Sequence, residues 1–345
     1  MPAEWEPHVA TWLAWPHHKE DWPGKFATVS WVYVEIVRHL HRSETVCILV
    51  QDSTLEQRVK RMLVRAEVDL TRVRFFQIRT NRSWTRDFGP IFVRRDGPRP
   101  EVAITDWKFN AWAKYPNWQN DDRVPARLAR VLELRRWEAT ALIERRFEPV
   151  VLEGGSIDVN GQGTLLTTEE CLLSPVQARN PRLTPRHLER MFRDYLGVRQ
   201  VLWLGRGIAG DDTHGHIDDL ARFVNASTVV AVREDNPLDE NYQPLQENLE
   251  RLRGMKDQNG KSIQVVPLPM PRPLYLDGQR LPASYANFYI ANTVVLVPTF
   301  NDPSDRIALS ILSDLFPDRE VIGIHSVDLV WGLGTLHCLT QQQPL

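Results

Sequence analysis

Short aliphatic runs alternate along this chain with segments whose apolar positions recur every three or four residues. Thr45-Val46-Cys47-Ile48-Leu49-Val50 is a β-rich run. It leads into Ser53-Thr54-Leu55-Glu56, a capping-box pattern that predicts a helix to Arg65. Thr184-Pro185-Arg186 predicts a second helix, with proline at its first position and Gly197 as its stop. Val198 to Leu204 then reads as a strand. Val294 to Val297 reads as a buried strand, Pro303 to Phe316 as a helix, and Glu320 to Val327 as a strand again. This alternation predicts α/β architecture. No Gly/Ser linker or low-complexity tract interrupts it, so residues 1–345 are expected to form a single domain.

Composition narrows the functions open to such a chain. Hydrophobic residues make up 42% of the 345, enough for a real core, and a formal net charge of −2 gives no support for binding nucleic acid or an anionic membrane. The pairs Arg135-Arg136 and Arg145-Arg146 are interrupted by acids and read as solvated helix faces. No apolar run approaches the roughly 18 residues of a membrane span. The N-terminus is acidic and aromatic, unlike a signal peptide. Three cysteines without a C-x-x-C pair fit a reducing compartment, and the expected location is cytoplasmic.

The candidate chemistry lies in a few polar clusters. Asp87 stands in Trp84-Thr85-Arg86-Asp87-Phe88-Gly89-Pro90 and Glu153 in Leu152-Glu153-Gly154-Gly155. His216 and Asp218 stand in Thr213-His214-Gly215-His216-Ile217-Asp218-Asp219, and Cys338 follows glycines at 332 and 334. The first three clusters recur at intervals of roughly 65 residues, with Asn301-Asp302-Pro303 and Cys338 further on. The rhythm fits a repeated β/α module, each repeat lending one loop to a shared centre.

A thiol, a histidine and several carboxylates are the parts of a cysteine-nucleophile site. The competing reading of Cys338 is a small buried hydrophobe, as expected for Cys47 and Cys171. If its segment is extended, His337 faces away from Cys338 and is structural. Asp87 and Glu153 can equally serve as turn stabilisers. The 213–219 stretch resembles the H-x-H-x-D-H zinc motif of metallo-β-lactamase-type hydrolases, with Asp219 in place of the last histidine. In the competing, metal-free reading, His216 and Asp218 share one face of an extended segment. Carboxylates and an aromatic together suit a guanidinium, which is planar, always charged and ringed with N–H donors.

Taken together, these residues resemble the agmatine deiminase and Porphyromonas-type peptidylarginine deiminase family of the guanidine-modifying superfamily. The likeness also covers Trp107-Lys108-Phe109-Asn110-Ala111-Trp112, Asn301-Asp302-Pro303 and His337-Cys338, and so runs nearly end to end. Two segments depart from the family pattern. The usual glycine run before the cysteine is Gly332-Leu333-Gly334-Thr335-Leu336, and a Trp-Gly-Gly-Lys-Tyr segment is Trp112-Ala113-Lys114-Tyr115.

The resemblance implies a five-bladed, pseudo-fivefold α/β propeller (the pentein fold) with the site at its centre. It implies that Asp87 and Asp218 hold a guanidinium, that Trp84 walls the pocket, and that Cys338 attacks the guanidinium carbon. His216 then shuttles protons and Glu153 orients His216. Agmatine is the expected substrate and no cofactor or metal is expected. Asp211 or Asp212 is expected to receive the substrate amine. Peptidylarginine is the alternative substrate. A zinc hydrolase and a catalytically silent guanidine binder stay open, and a homodimer is compatible with the resemblance.

Overall fold

The computed structural model describes every residue of the chain except Arg99. The β-rich runs form strands at Thr45–Val50, Gln200–Leu204, Val294–Thr299 and Glu320–His325. The expected helices lie at Pro185–Leu196 and Pro303–Leu315. Thr184 caps the first of these, and Gly197 ends it with a φ of 72°, a left-handed conformation that glycine adopts at little cost.

Two local expectations need correction. Helix Ser53–Arg65 is capped by Asp52, whose carboxylate accepts from the Leu55 amide at 2.9 Å, and Ser53 is already helical. The arginine pairs are not helix faces. Arg135 and Arg136 lie in the strand Arg135–Glu138, and Arg145 and Arg146 sit at the tip of the hairpin Thr140–Ile143/Arg146–Pro149.

Among the described residues the strands form seven sheets, two of them simple hairpins. The other five share one design. Their middle strands are Glu101–Asp106, Thr164–Thr168, Thr228–Arg233 and Val294–Thr299, and His8–Ala14 holds the same place in the fifth, which adds a fourth strand, Val73–Gln77. Each middle strand pairs antiparallel on one side and parallel on the other, the parallel partner following a helical crossover. Leu13, Ile48, Val230 and Leu296 are wholly buried, as expected of strands covered on both faces.

The antiparallel strand of each sheet is preceded by a turn. These turns are Thr85–Phe88, Gly154–Ser156, Ile217–Asp219, residues 284–287, and Leu336–Leu339. They carry Asp87, Glu153, His216 with Asp218, Asn287 and Cys338. Asn301-Asp302-Pro303 does not belong to this set. Asp302 caps the helix Pro303–Leu315, accepting from the Ser304 amide at 2.8 Å.

A buried carboxylate ties these sheets together. Glu4 Oε1 accepts from Arg222 Nη2 at 2.9 Å and from the Ile290 amide at 2.8 Å. Its Oε2 accepts from Arg86 Nη2 at 3.0 Å and meets His337 Nε2 at 2.8 Å. Burial opposes charge on Glu4, but Arg222, His337 and Arg86 hold its carboxyl well below the usual range. Glu4→Ala strands two buried guanidinium groups and is expected to cost about 3–5 kcal/mol of unfolding free energy. Chemical denaturation against Glu4→Gln, which keeps part of the hydrogen bonding and loses less, checks this.

Candidate active site

Each functional side chain owes its position to a local device. Thr85 starts the first turn and accepts the Ala14 amide at 2.7 Å. Asp87 then points one way and Arg86 the other, towards Glu4. Asp211 builds the loop before His216. Its carboxylate accepts from the amides of Thr213 at 2.8 Å, Gly215 at 2.7 Å and His216 at 3.0 Å. Neither the segment of His216 nor that of Cys338 is extended, contrary to expectation. His216 and Asp218 occupy a 3₁₀ turn, and Cys338 sits in the single helical turn Leu336–Leu339. A helical turn brings His337 back into the centre, where its Nδ1 lies 2.7 Å from Asp218 Oδ2.

The five predicted residues converge. His216 Nδ1 lies 3.8 Å from Asp87 Oδ1 and 3.9 Å from Asp218 Oδ1, and its Nε2 lies 3.7 Å from Glu153 Oε2. Cys338 Sγ is 3.6 Å from Asp218 Oδ2 and accepts a hydrogen bond from Asn287 Nδ2 at 3.1 Å. Asp87 is fixed by the Trp112 indole N–H at 2.9 Å and the Gly155 amide at 3.0 Å. Both ring nitrogens of His216, Asp218 Oδ1 and Glu153 Oε2 are buried without a partner. Buried polar atoms without a protein partner are uncommon in native interiors, and a catalytic role or a bound water, ion or ligand accounts for such atoms.

Electrostatics sort these groups into roles. Burial, then Asp218 and Glu153, pushes Asp87 up to about 6 against the pull of His216. Burial also resists charge on His216, yet Asp87 and Glu153 raise it well above the usual histidine range. Burial likewise disfavours the Glu153 carboxylate, but Arg179 and His216 bring it down to about 2. Burial and the charges of Asp218, Asp219 and Asp87 drive the Cys338 thiol well above its ordinary value. The site is therefore a thiol held neutral by surrounding carboxylates, beside an imidazolium.

A pocket leads to Cys338 between Trp84, Trp112 and Trp331. Trp84 packs on Trp22 with ring centroids 5.3 Å apart. The departure at Leu333 has a simple reason. A Cβ at Gly332 meets the Trp22 ring at 2.5 Å, and one at Gly334 meets Trp84 at 2.8 Å and Cys338 Sγ at 3.2 Å. Those two glycines are kept, while Leu333 between them accepts a φ of 68°.

At the mouth, Asp212 lines the pocket and is paired with Lys114 and with Tyr115 Oη, the latter at 2.7 Å. Asp211 does not line it, because its carboxylate is spent on the loop. Asp21 faces the same mouth and pairs with Arg82.

The H-x-H-x-D arrangement does not assemble as a metal site. His214 turns away, with Nε2 3.2 Å from Ser174 Oγ. A different trio, Glu153, Cys171 and His216, offers ligand atoms within 4.8 Å of one another. Sequence reasoning missed Glu4, Arg179, Cys171 and Asn287. Arg179 Nε is 3.2 Å from Glu153 Oε1, and both are buried. Asn287 also donates to Asp219 at 3.0 Å and accepts from Thr335 Oγ1 at 2.8 Å, so it organises the cysteine turn. No local pattern marks these residues.

Comparison with known proteins places the chain in a family. The sequence model of the Porphyromonas-type peptidyl-arginine deiminase family matches residues 1–344. The chain belongs to that family. An agmatine deiminase of Pseudomonas aeruginosa (strain LESB58) is 35% identical over 367 residues, covering 100% of this chain and 95% of the relative. The solved agmatine deiminase of Enterococcus faecalis superposes with a TM-score of 0.88 at 32% identity, covering 100% of this chain and 95% of that one. A solved putative arginine deiminase of Porphyromonas gingivalis gives 0.86 at 38% identity, covering 100% and 97%.

Gly155 offers a direct test of the site's geometry. A Cβ there falls 2.6 Å from His216 Nδ1 and 2.7 Å from Asp87 Oδ1. Gly155→Ala is expected to lower kcat/KM on a guanidine substrate by about a hundredfold or more. The cost in stability should stay within about 1–3 kcal/mol. Steady-state kinetics beside thermal unfolding separate the two.

Proposed function

We propose that this protein is an agmatine deiminase, hydrolysing the guanidinium of agmatine to N-carbamoylputrescine and ammonia. The observation that carries the reading is the group of unpaired buried atoms on Asp218 and His216, beside Asp87 and Cys338. A planar cation with many donors answers the carboxylate acceptors of Asp218 and Asp87 as no neutral ligand does. The curated and solved relatives named agmatine deiminase support the substrate. We read the five larger sheets as the blades of a pseudo-fivefold propeller formed by one domain, residues 1–345.

In the proposed mechanism Asp87 and Asp218 hold the guanidinium and fix its plane against Trp84. The bound cation offsets the carboxylate field that keeps Cys338 neutral, and the thiol gives its proton to solvent in the pocket. Sulfur attacks the guanidinium carbon and forms the C–S bond. His216 passes a proton from Nδ1 to the departing nitrogen, the C–N bond breaks and ammonia leaves, giving a thiouronium. His216 then takes a proton from water, whose oxygen adds to the same carbon. The C–S bond breaks with its electron pair going to sulfur, the added hydroxyl becomes the carbonyl, and its proton passes to the thiolate and restores the thiol. Glu153 anchors Nε2 throughout and stabilises the imidazolium, and Arg179 keeps Glu153 charged. Asp212 receives the substrate amine, sharing it with Lys114 and Tyr115.

A second reading is favoured by one observation. Arg82 lines the pocket mouth, and its buried Nε has no partner. A guanidinium there suits the α-carboxylate of arginine or of a peptide ending in arginine.

Ammonia release from agmatine, arginine and a blocked arginine peptide, measured in parallel, tests the assignment. Agmatine is expected to turn over fastest. Preference for a carboxylate-bearing substrate that Arg82→Ala abolishes establishes the second reading. Cys338→Ala is expected to abolish turnover and to bind agmatine within about tenfold of wild type by calorimetry. Wild-type-like activity in that variant ends the mechanism. The pH profile has a signed expectation. Asp87 is raised to about 6, so below that pH it is neutral in the free enzyme and no longer pairs with the cation. The agmatine kcat/KM should fall about tenfold per unit as pH drops below about 6. A limb first appearing near pH 4 contradicts the role given to Asp87.

A further inference from the structure

Cys171 was expected to be an inert buried hydrophobe. It is buried, yet it sits against the reacting histidine. Thr168 Oγ1 accepts from the Cys171 amide at 3.0 Å and donates to the Gly215 carbonyl at 2.6 Å. One hydroxyl thus ties the short helix Glu169–Leu173 to the loop that carries His216. Glu153, Cys171 and His216 are each at least 99% buried. Their ligand atoms lie within 4.8 Å of one another, and Glu153 Oε2 stands 3.7 Å from His216 Nε2. Neither of those two atoms has a hydrogen-bond partner.

We propose that Glu153, Cys171 and His216 form a binding site for a thiophilic divalent cation, zinc above all, which inhibits the enzyme reversibly. Thiolate, imidazole and carboxylate are the three donor types zinc prefers. Its bond lengths of about 2.0–2.3 Å put neighbouring tetrahedral ligands roughly 3.3–3.8 Å apart. The Glu153–His216 gap already falls in that range, and the thiol needs only a small side-chain rotation. Binding displaces one proton from the Cys171 thiol and a second from Nε2 of the His216 imidazolium, leaving the neutral ring as ligand. Arg179 does not stand in the way, since it occupies Glu153 Oε1 and leaves Oε2 free. The Asp87 and Asp218 carboxylates on the other side of His216 offset the added charge.

The inhibitory effect rests on the role proposed above for His216. A histidine ligated through Nε2 cannot become the imidazolium that gives a proton from Nδ1, so ammonia loses its proton donor. The site is thus a metal-operated block on proton transfer that leaves the guanidinium seat intact.

The test uses the full chain with Cys338→Ser, which removes the competing thiol. Titration with cobalt(II) chloride in chelator-free buffer is expected to give a thiolate-to-cobalt charge-transfer absorption. It should saturate at one equivalent and be displaced by zinc sulfate. The double variant Cys171→Ala/Cys338→Ser should lack that absorption. In the protein with Cys338 intact, zinc sulfate is expected to suppress deimination, and chelator to restore it. Cys171→Ala, referred to its own metal-free rate, should need at least about tenfold more zinc for the same suppression. Absence of the absorption in the Cys338→Ser protein, or equal absorption with and without Cys171, overturns the proposal. A metal-free protein that deiminates no guanidine defeats the function reading instead, and the cobalt absorption reports on the site independently of it.

Discussion

The architecture depends on one carboxylate. Glu4 is buried among Arg86, Arg222 and His337, groups drawn from turns and strands of three different sheets. Arg222 in turn holds Asp158 at 2.8 Å, which accepts the Phe223 amide at 2.6 Å. Charges so deeply buried are costly unless every lone pair and proton is matched. Here they are matched only when the sheets stand in one arrangement. The network also reaches the chemistry directly. His337 bridges Glu4 to Asp218, and the residue on either side of that link, Arg86 or Cys338, is a chain neighbour or member of the site.

A second constraint is the excess of negative charge around Cys338. A nucleophilic thiol in other settings is activated by nearby cations. This one is buried among the carboxyl groups of Asp218, Asp219 and Asp87, and burial and these groups together raise its pKa. Such a site resists thiolate formation until a cation enters. In the proposed mechanism recognition and activation are therefore one event: the charge that Asp87 and Asp218 select is the charge that frees the sulfur. A neutral molecule of the same shape neither binds well nor activates the thiol.

Much of this was legible from turn chemistry. Asp87 before Gly89-Pro90, Glu153 before two glycines and His216 after Gly215 each stand where a chain must change direction beside a β run. Backbone demands single out such places, and the structure brings those side chains together. The helix at Pro185–Leu196 was readable from its threonine cap and terminal glycine for the same reason. Other features had no local sign. Asn287 looks like any loop asparagine until Cys338, 51 positions away, packs on it. Arg179 gains meaning only from Glu153, and Glu4 only from partners more than 200 positions away in three cases. His337 was misjudged because a helical turn of four residues leaves too short a pattern to distinguish from a strand. Asp211 and Asp212 are adjacent acids in sequence, and only the loop geometry makes one a scaffold and the other a pocket wall.

The strand Thr340–Pro344 that follows Cys338 pairs antiparallel with His8–Ala14, placing Gln341 opposite Trp12. Contacts of such long separation form late, because most of the chain must already be confined before their closure entropy is met. The turn of Cys338 is thus set by one of the longest-range pairings in the molecule, so a chain in which that pairing has not closed has the thiol without its arrangement beside Asp218 and Asn287.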